Sequence, residues 1–300
     1  MTRPCQIGID LGGTKTESIL FGPRGDELYR KRMSTPGKGG EQYAKVLAAV
    51  TALVHETADH IAGAGPFTVG VGIPGIVNNR TGLIQNANLT CLTGHPFKAD
   101  LEGRLGRPVA MDNDANCFVL AESRAGAARG YGFVFGIIMG TGCGGGLYMD
   151  GRVHRGRHGI AGEWGHVSVD PRGERCFCGN RGCIETGISG TGVSRAFLTD
   201  YGRRLTMQEI TEGYRNGDVQ CVRAFERFLD DFGRSLGGLI SILDPDAVVI
   251  GGGLSNIAEL YTLGVERVRS YAFHEGIETP ILKNRLGDSA GVFGAAWIGT

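Results

Sequence analysis

The sequence predicts an α/β protein built from two lobes. Three apolar segments typical of buried strands each run into a glycine-rich turn, at residues 6–15, 133–146 and 246–253. Segments with helical periodicity separate them, and the 300 residues are enough for two packed cores, because single cores rarely grow beyond ~250–300 residues. Glycine accounts for 52 residues and is concentrated at strand ends, where the backbone turns sharply or approaches a ligand.

The composition argues against nucleic-acid and membrane partners. Lys+Arg and Asp+Glu are both 31, so the net charge is zero and no basic surface for nucleic acid is expected. No apolar run approaches the ~20 residues that span a bilayer, and the N-terminus is interrupted too early for a signal peptide. Because the cysteines outside one short window are scattered singly, we expect reduced thiols and a cytoplasmic protein. The basic cluster at residues 152–158 is interpreted as a solvated loop.

The first glycine turn predicts a β-hairpin. Residues 6–11 read as a strand, residues 12–15 (G-G-T-K) as a turn, and residues 16–22 alternate like a second strand. The spacings of a P-loop and of a dinucleotide fingerprint are both missing. Glycine amides and a threonine hydroxyl at a hairpin tip can still form an anion-binding concavity for phosphate.

The second and third glycine turns repeat this pattern. Residues 133–139 read as a strand, residues 140–146 (G-T-G-C-G-G-G) as a turn, and the residues from Leu147 as another strand. Residues 246–250 read as a buried strand, followed by three glycines and a helical stretch from Ile257. Each turn alone is weak evidence, but three of them, two with Gly-Thr at a hairpin tip, predict a nucleotide held between two lobes.

Further elements are predicted between these turns. Apolar residues recur with a period near 3.6 over residues 41–61, which predicts a helix, and residues 67–73 alternate as a strand that stops at a Pro-Gly pair. A short strand over residues 107–111 leads into a helix that starts near Ala115. Asp112, Asn113 or Asp114 can cap this helix.

A short window predicts a zinc site. Residues 176–185 read C-F-C-G-N-R-G-C-I-E, and a histidine lies ten residues before the first cysteine. The candidate Cys₃His ligands are Cys176, Cys178, Cys183 and His166. Four protein ligands close the shell, so the metal is expected to be structural. Alternatives are an accidental cluster or a zinc-ribbon interaction module, but Glu163 and Glu185 flank the window and favour a metal that shapes a ligand site.

These motifs together resemble the ROK family of sugar kinases and sugar-responsive repressors, within the actin-like/hexokinase ATPase fold. The resemblance runs from residue 6 to residue 297 and rests on residues 10–15, 72–75, 113–116, 140–146, 162–166, 176–185 and 244–253. It implies two RNase H-like lobes with a central cleft. A small N-terminal lobe of residues 1–114, to which a C-terminal helix of residues 290–300 returns, would face a large lobe of residues 115–289 carrying the zinc motif. It also implies a homodimer.

The resemblance assigns roles residue by residue. Asp114 resembles the general base that activates the sugar hydroxyl. The expected sugar-binding residues are Asn88, Asn113, Asp114, Glu163, His166 and Glu185. His166 would place one ring nitrogen on zinc and the other on a hydroxyl. Asp10 resembles the residue that organises Mg²⁺ near the phosphates. The expected ATP-site residues are Asp10, Gly12, Gly13, Thr14, Lys15, Thr141, Gly142, Gly252 and Gly253.

The resemblance therefore implies ATP-dependent phosphorylation of the 6-hydroxyl of a free hexose. Residues 86–90, 140–146, 161–166 and 188–192 look most like the bacterial fructokinase/mannokinase branch, so fructose is the expected substrate, with mannose second. The alternative is an N-acetylglucosamine or glucose kinase, which shares most of the framework. A sugar-sensing ROK regulator is a non-enzyme alternative, disfavoured because the first strand begins at Gln6 and leaves no room for a DNA-binding domain.

Overall fold

The computed structural model describes residues 3–37, 41–62, 65–274 and 276–299. The strands are β1 Cys5–Leu11, β2 Lys15–Phe21, β3 Glu27–Ser34, β4 Phe67–Ile73, β5 Ile76–Val77, β6 Ile84–Gln85, β7 Ala110–Asn113, β8 Phe133–Met139, β9 Cys143–Met149, β10 Arg152–Val153, β11 Ala247–Gly251 and β12 Ile281–Lys283. The α-helices are α1 Gln42–Ala58, α2 Phe97–Leu105, α3 Asp114–Ala125, α4 Ile184–Ile188, α5 Gly190–Tyr201, α6 Met207–Arg215, α7 Val219–Leu243, α8 Leu263–Tyr271 and α9 Ala290–Trp297.

The chain forms two compact units. The first consists of Met1–Ala121, Arg155–Ala161 and Asp288–Thr300, and the second of Glu122–His154 and Gly162–Gly287. The domain division expected from the resemblance, with its boundary after residue 114, stays a prediction, and residues 1, 2, 38–40, 63, 64, 275 and 300 of it lie outside the described residues. Within the described part of the chain, no helix has both the length and the apolar composition that crossing a bilayer requires.

The first unit is built on a sheet with the strand order β3-β2-β1-β4-β7. β1 pairs antiparallel with β2 and parallel with β4, so that Asp10 lies opposite Glu17 on one side and Gly72 on the other. Ile7, Ile9 and Leu11 of β1 are buried and pack in one core with α1 and α2. The carboxyl ends of β1, β4 and β7 lie at the same edge of the sheet because these strands are parallel.

The helix α9 covers the sheet of the first unit at very close range. A Cβ atom on Gly8 would lie 2.3 Å from the Val292 carbonyl oxygen, and one on Gly70 would lie 1.9 Å from the Ala295 carbonyl oxygen. Glycine at these two strand positions therefore lets the helix backbone approach the strands. Ile19 and Phe21 of β2 complete this packing.

The second unit is built on a sheet with the strand order β10-β9-β8-β11-β12. Along this order the first two strand pairs are antiparallel and the last two are parallel. The strand pairs of the first sheet follow the same pattern. The long helix α7 buries Phe225, Phe228, Phe232 and Leu236 on one face, as expected for apolar residues that recur every three or four positions. The same strand arrangement occurs in both units, which matches the pair of RNase H-like lobes expected from the resemblance.

Most elements lie where the sequence predicts them, with differences at the ends. The hairpin of β1 and β2 and the strands β4, β8 and β11 are confirmed. The second glycine turn is shorter than expected, because Cys143 to Gly146 already pair with β8. The strand predicted over residues 107–111 is shifted to Ala110–Asn113. The helix expected from Ile257 is instead a 3₁₀ turn, Ala258–Tyr261, and α8 begins only at Leu263.

Candidate functional site

The tip of the first hairpin is an exposed turn that its neighbours hold in place. The Gly12 N–H donates to the Lys15 carbonyl at 2.9 Å. Thr35, which follows β3, donates its N–H to the Thr14 carbonyl at 2.9 Å and its hydroxyl to the Gly12 carbonyl at 2.8 Å. The predicted phosphate-binding residues of the first unit therefore form one supported turn, composed of Gly12, Gly13, Thr14 and Lys15.

Asp10, near the end of β1, lies in a region of excess negative charge. Burial raises the pKa of Asp10 to about 7, with further increases from the carboxylates of Asp114 and Glu17, whereas two nearby basic side chains lower it. A divalent cation at this position would favour the ionised carboxylate. Asp10 therefore fits the predicted role of organising Mg²⁺.

Asp114 is the first residue of α3, directly after the last residue of β7. The Ala115 N–H donates to Asn113 Oδ1 and to Asp114 Oδ1, both at 2.8 Å, and Asn113, which directly precedes the helix, is the one of the three candidates at the N-cap position. An ionised carboxylate can accept the proton of a sugar hydroxyl.

Asn88 and Asn113 both contact the turn that follows β4. The Asn88 N–H donates to the Pro74 carbonyl at 2.8 Å, and Asn113 Nδ2 lies 3.4 Å from the Gly75 carbonyl oxygen. A Cβ atom on Gly75 would lie 2.8 Å from the Ala87 Cβ, so the close approach of residues 86–88 needs glycine here. Two of the predicted sugar-binding residues are therefore brought to one turn of the first unit.

The four predicted zinc ligands converge in the second unit. Their ligand atoms all lie within 4.8 Å of one another. Cys176 Sγ is 3.6 Å from His166 Nδ1, and Cys178 Sγ is 3.6 Å from Cys183 Sγ. Ligands ~2.0–2.3 Å from a tetrahedral Zn²⁺ lie at about such distances from each other, so this set fits Zn²⁺. Since Nδ1 is on the metal side, Nε2 is the nitrogen that remains for a hydroxyl.

A short loop brings the cysteines together. The Cys176 N–H donates to the Asn180 carbonyl at 2.8 Å, and the Gly179 N–H donates back to the Cys176 carbonyl at 3.1 Å. Gly179 has φ +99, a conformation that favours glycine. This tight turn explains how Cys176 and Cys178 can share a site although only one residue separates them.

Glu163 and Glu185 lie on either side of this cluster. Burial raises the pKa of Glu163, and the charge of Glu185 raises it further. Glu185 Oε2 accepts a hydrogen bond from the Cys143 N–H at 2.9 Å, which ties α4 to the second glycine turn. His166 follows Glu163 in a 3₁₀ turn, Trp164–His166. The predicted sugar-binding residues of the second unit therefore lie beside the predicted zinc ligands.

The glycine turns of the second unit meet the first turn of α5. The Gly190 N–H donates to the Gly140 carbonyl at 2.8 Å, and the Thr191 N–H lies 3.4 Å from the Thr141 carbonyl oxygen. Gly252 has φ +79, and a Cβ atom there would lie 2.3 Å from the Met139 carbonyl oxygen. The structure thus brings together the four predicted ATP-site residues of this unit, Thr141, Gly142, Gly252 and Gly253.

These turns open onto a cavity of about 650 Å³, a size typical of small-molecule sites. Residues that the sequence analysis did not assign line much of it: Thr191, Ser194, Arg195, Arg204, Gln208 and Leu254. One signal for them was available, because S-G-T-G at residues 189–192 is typical of a helix N-terminus, where phosphate binds readily. The remaining residues come from α5, the connection between α5 and α6, α6 and the turn after β11, and no sequence spacing connects them.

Comparisons with known proteins identify the family. The ROK family model matches residues 6–300. An N-acetyl-D-glucosamine kinase of Pectobacterium atrosepticum is 40% identical over 299 residues, which cover 96% of this chain and 97% of that protein. The ROK hexokinase from Thermus thermophilus is 33% identical with a TM-score of 0.88, covering 98% of this chain and 97% of its own. A ROK family glucokinase from Streptomyces griseus, in complex with glucose and AMPPNP, is 30% identical with a TM-score of 0.80. The match covers 98% of this chain and 99% of that chain.

These relatives overturn the prediction of a fructokinase. Four relatives that are 36 to 40% identical over 96 to 97% of this chain are N-acetyl-D-glucosamine kinases, the activity named as the alternative. The prediction rested on four short windows of the sequence, whereas the identity to these relatives extends over nearly the whole chain.

The fold class is confirmed by the two structural matches, which are ROK sugar kinases of the actin-like/hexokinase type. The family match covers all of the motifs on which the resemblance rests. The chain belongs to the ROK family and is a sugar kinase.

Proposed function

We propose that the protein is an ATP-dependent N-acetyl-D-glucosamine kinase that phosphorylates the 6-hydroxyl of the free sugar. The observation that carries this proposal is the 40% identity to a kinase for that sugar, which extends over nearly the full length of both proteins. The site residues described above supply the groups that such a reaction needs.

In this proposal Asp114 is the general base. Phosphoryl transfer needs an attacking oxygen aimed in line at the γ-phosphate, and a carboxylate that accepts the hydroxyl proton can also orient that hydroxyl. Base catalysis of this kind contributes ~10²–10⁴-fold, and positioning and charge neutralisation contribute most of the remainder. The position of Asp114 at the start of α3 supports the assignment because the carboxylate is held on a regular element.

The sugar is proposed to bind through Asn88, Asn113, Glu163, His166 and Glu185. Carboxylate oxygens accept hydrogen bonds from sugar hydroxyls, and the amide and imidazole groups can also donate them. Structural Zn²⁺, held by the Cys₃His cluster, would fix the loop on which His166 lies. Without Zn²⁺ this loop loses the metal that connects its two ends.

The nucleotide is proposed to bind at the glycine turns. The N-terminus of α5 and the cavity beside it support a site for ATP in the second unit. Asp10, together with the hairpin tip at Gly12 to Lys15, is proposed to serve the phosphates and Mg²⁺. When bound, Mg²⁺ supplies positive charge to the transferred phosphoryl group. The homodimer implied by the family stays a prediction, and light scattering of the purified protein tests it.

The sugar preference is tested with a coupled ATP assay. N-acetylglucosamine, glucose, glucosamine, mannose and fructose are compared at one protein concentration, and kcat/KM is reported for each. We expect kcat/KM to be highest for N-acetylglucosamine, by ~10²-fold or more over glucose, because a site built for an amide leaves polar groups unpaired when the amide is missing. A higher kcat/KM for fructose, mannose or glucose would contradict the proposed substrate.

The base is tested with Asp114→Asn. We expect kcat to fall by ~10²–10⁴-fold while the sugar still raises the melting temperature, since the amide keeps the shape and much of the hydrogen bonding of the carboxylate. Asp59→Asn, an exposed position in the same unit, is the matched control and should keep normal turnover. An Asp114→Asn enzyme with normal kcat would remove Asp114 from this role.

A further inference from the structure

The side chain of Arg155 contacts a buried carboxylate. Arg155 lies within residues 152–158, which the sequence predicts to be a solvated loop; its side chain is half-exposed, but its guanidinium also contacts the protein. Its Nε lies 2.6 Å from Asp112 Oδ2, and the side chain of Asp112 is only 6% exposed. Arg155–Ala161 belongs to the first unit although the residues on both sides of it in sequence belong to the second.

Asp112 uses both of its oxygens. Oδ1 accepts hydrogen bonds from the Asn113 N–H at 2.9 Å and from Asn116 Nδ2 at 2.8 Å, and Oδ2 accepts from Arg155. Among the residues that the structure describes, Arg155 is the sole basic side chain within 4.0 Å of the Asp112 carboxylate. The charge of a buried carboxylate needs such a partner because burial removes its hydration.

The hydrogen bonds of Asp112 define the turn from β7 into α3. Asp112 holds the backbone amide of Asn113 and the side chain of Asn116, and Asn113 in turn caps the helix that begins with Asp114. The Asn116 amide faces Asp112 even though its own Oδ1 then has no hydrogen-bond partner among the described residues. The polar groups of this turn are therefore arranged around the Asp112 carboxylate.

We propose that Arg155 is a positioning residue for the base Asp114 and acts through Asp112. This inference rests on the proposed function, in which Asp114 accepts the proton of the sugar hydroxyl. Without Arg155 the Asp112 Oδ2 atom loses its hydrogen-bond donor and the carboxylate can turn toward water, which weakens its hold on Asn113 and Asn116. A catalytic group misplaced by ~1 Å can lose ~10²-fold in rate.

The test compares Arg155→Gln, Arg155→Lys and the neighbouring Arg157→Gln. Arg155→Gln should lower kcat by ~10- to 10²-fold for whichever hexose the wild-type enzyme phosphorylates best, with the melting-temperature rise produced by AMPPNP unchanged. Arg155→Lys keeps the charge and should recover much of kcat, although it lacks the guanidinium geometry. Arg157→Gln changes an exposed arginine of the same segment and should keep the wild-type kcat.

A double variant separates positioning from simple loss of folding. Asp112→Asn/Arg155→Gln removes the buried charge together with its partner, so its kcat should be higher than the product of the two single effects predicts. Recovery in the double variant would support the proposal even if Arg155→Gln alone folded poorly. Additive losses in the double variant would overturn it.

The outcomes also distinguish this inference from the proposed function. An inactive Asp114→Asn enzyme together with a normal kcat in folded Arg155→Gln overturns only the role of Arg155. Normal turnover in Asp114→Asn overturns the base assignment itself. A drop in kcat for Arg155→Gln that Arg157→Gln reproduces equally would assign the effect to the overall charge of the loop and overturn the proposal.

Discussion

Individual carboxylates of this chain differ in how their charge is compensated. Glu122 is buried and accepts hydrogen bonds from the backbone N–H groups of Ala127 at 2.8 Å and Leu286 at 2.9 Å. Asp112 has an arginine partner. Asp231 of α7 has no hydrogen bond to its carboxylate among the described residues, and burial raises its pKa. The effect of a buried carboxylate on the stability of the fold therefore depends on the hydrogen-bond donors and the charges that surround it.

We predict opposite effects for two adjacent aspartates of α7. The pKa of Asp231 in the folded protein is above its ordinary value of 3.8, so its contribution to stability falls as the pH rises through and above that value. Asp231→Asn should therefore raise the urea midpoint at pH 7, and the gain should shrink toward pH 4. An unchanged midpoint at pH 7 would contradict this effect of burial.

Asp230→Asn is the matched control. Burial alone would raise the pKa of Asp230, but hydrogen bonds from Tyr271 and Arg234 lower it below 3.8. A lowered pKa contributes stability above the unfolded value, and this stability is lost as the pH falls. Asp230→Asn should thus lower the urea midpoint at pH 7. Equal shifts of the same sign in both variants would contradict the pKa directions.

At the scale of elements, close backbone packing positions the helices. The helix α9 touches β1 and β4 through glycines, and α5 touches the second glycine turn through Gly190. The periodicity of the sequence predicts that these strands and helices exist. It does not predict which of them meet, because a glycine at a contact is indistinguishable in sequence from a glycine in a turn.

Gly70→Ala should destabilise the first unit. The added methyl group would lie 1.9 Å from the Ala295 carbonyl oxygen, and a helix backbone cannot yield as a flexible side chain can. We expect a loss of ~1–3 kcal/mol or more in the free energy of unfolding, measured by urea denaturation. Gly103→Ala is the matched control, because nothing lies within 4 Å of the new methyl group on α2 and alanine favours the helix. A fully stable Gly70→Ala protein would contradict the close contact of α9.

At the scale of the whole molecule, each unit has its own core and its own tryptophan. The sequence contains two tryptophans. Trp164 of the second unit donates its Nε1–H to the Gly144 carbonyl at 3.2 Å and follows Glu163 in the turn that ends at His166. Trp297 of the first unit stacks on Phe21 with a centroid distance of 5.6 Å. Fluorescence can therefore report on each unit separately.

We predict that purified protein holds about one Zn²⁺ per chain and that removing it destabilises mainly the second unit. In Trp297→Phe protein, a chelator should lower the urea midpoint reported by Trp164. A loss of ~3 kcal/mol would correspond to a shift of ~1–3 M urea. In Trp164→Phe protein the midpoint reported by Trp297 should move less. Active protein without zinc, or equal shifts in the two variants, would contradict this prediction.

The sequence by itself determined the fold class, the main hairpins and the family, because strand alternation, glycine turns and the order of the motifs are local properties of the chain. It also predicted the four candidate zinc ligands as a set, since their spacing is short, and the structure brings these four side chains together. Tertiary structure alone decided that Arg155 compensates Asp112 and that residues of α5 and α6 line the cavity. These contacts join residues far apart in the chain, and no local pattern specifies them. The prediction of fructose was wrong: it rested on four short windows, and the identity to N-acetyl-D-glucosamine kinases over nearly the whole chain overturned it.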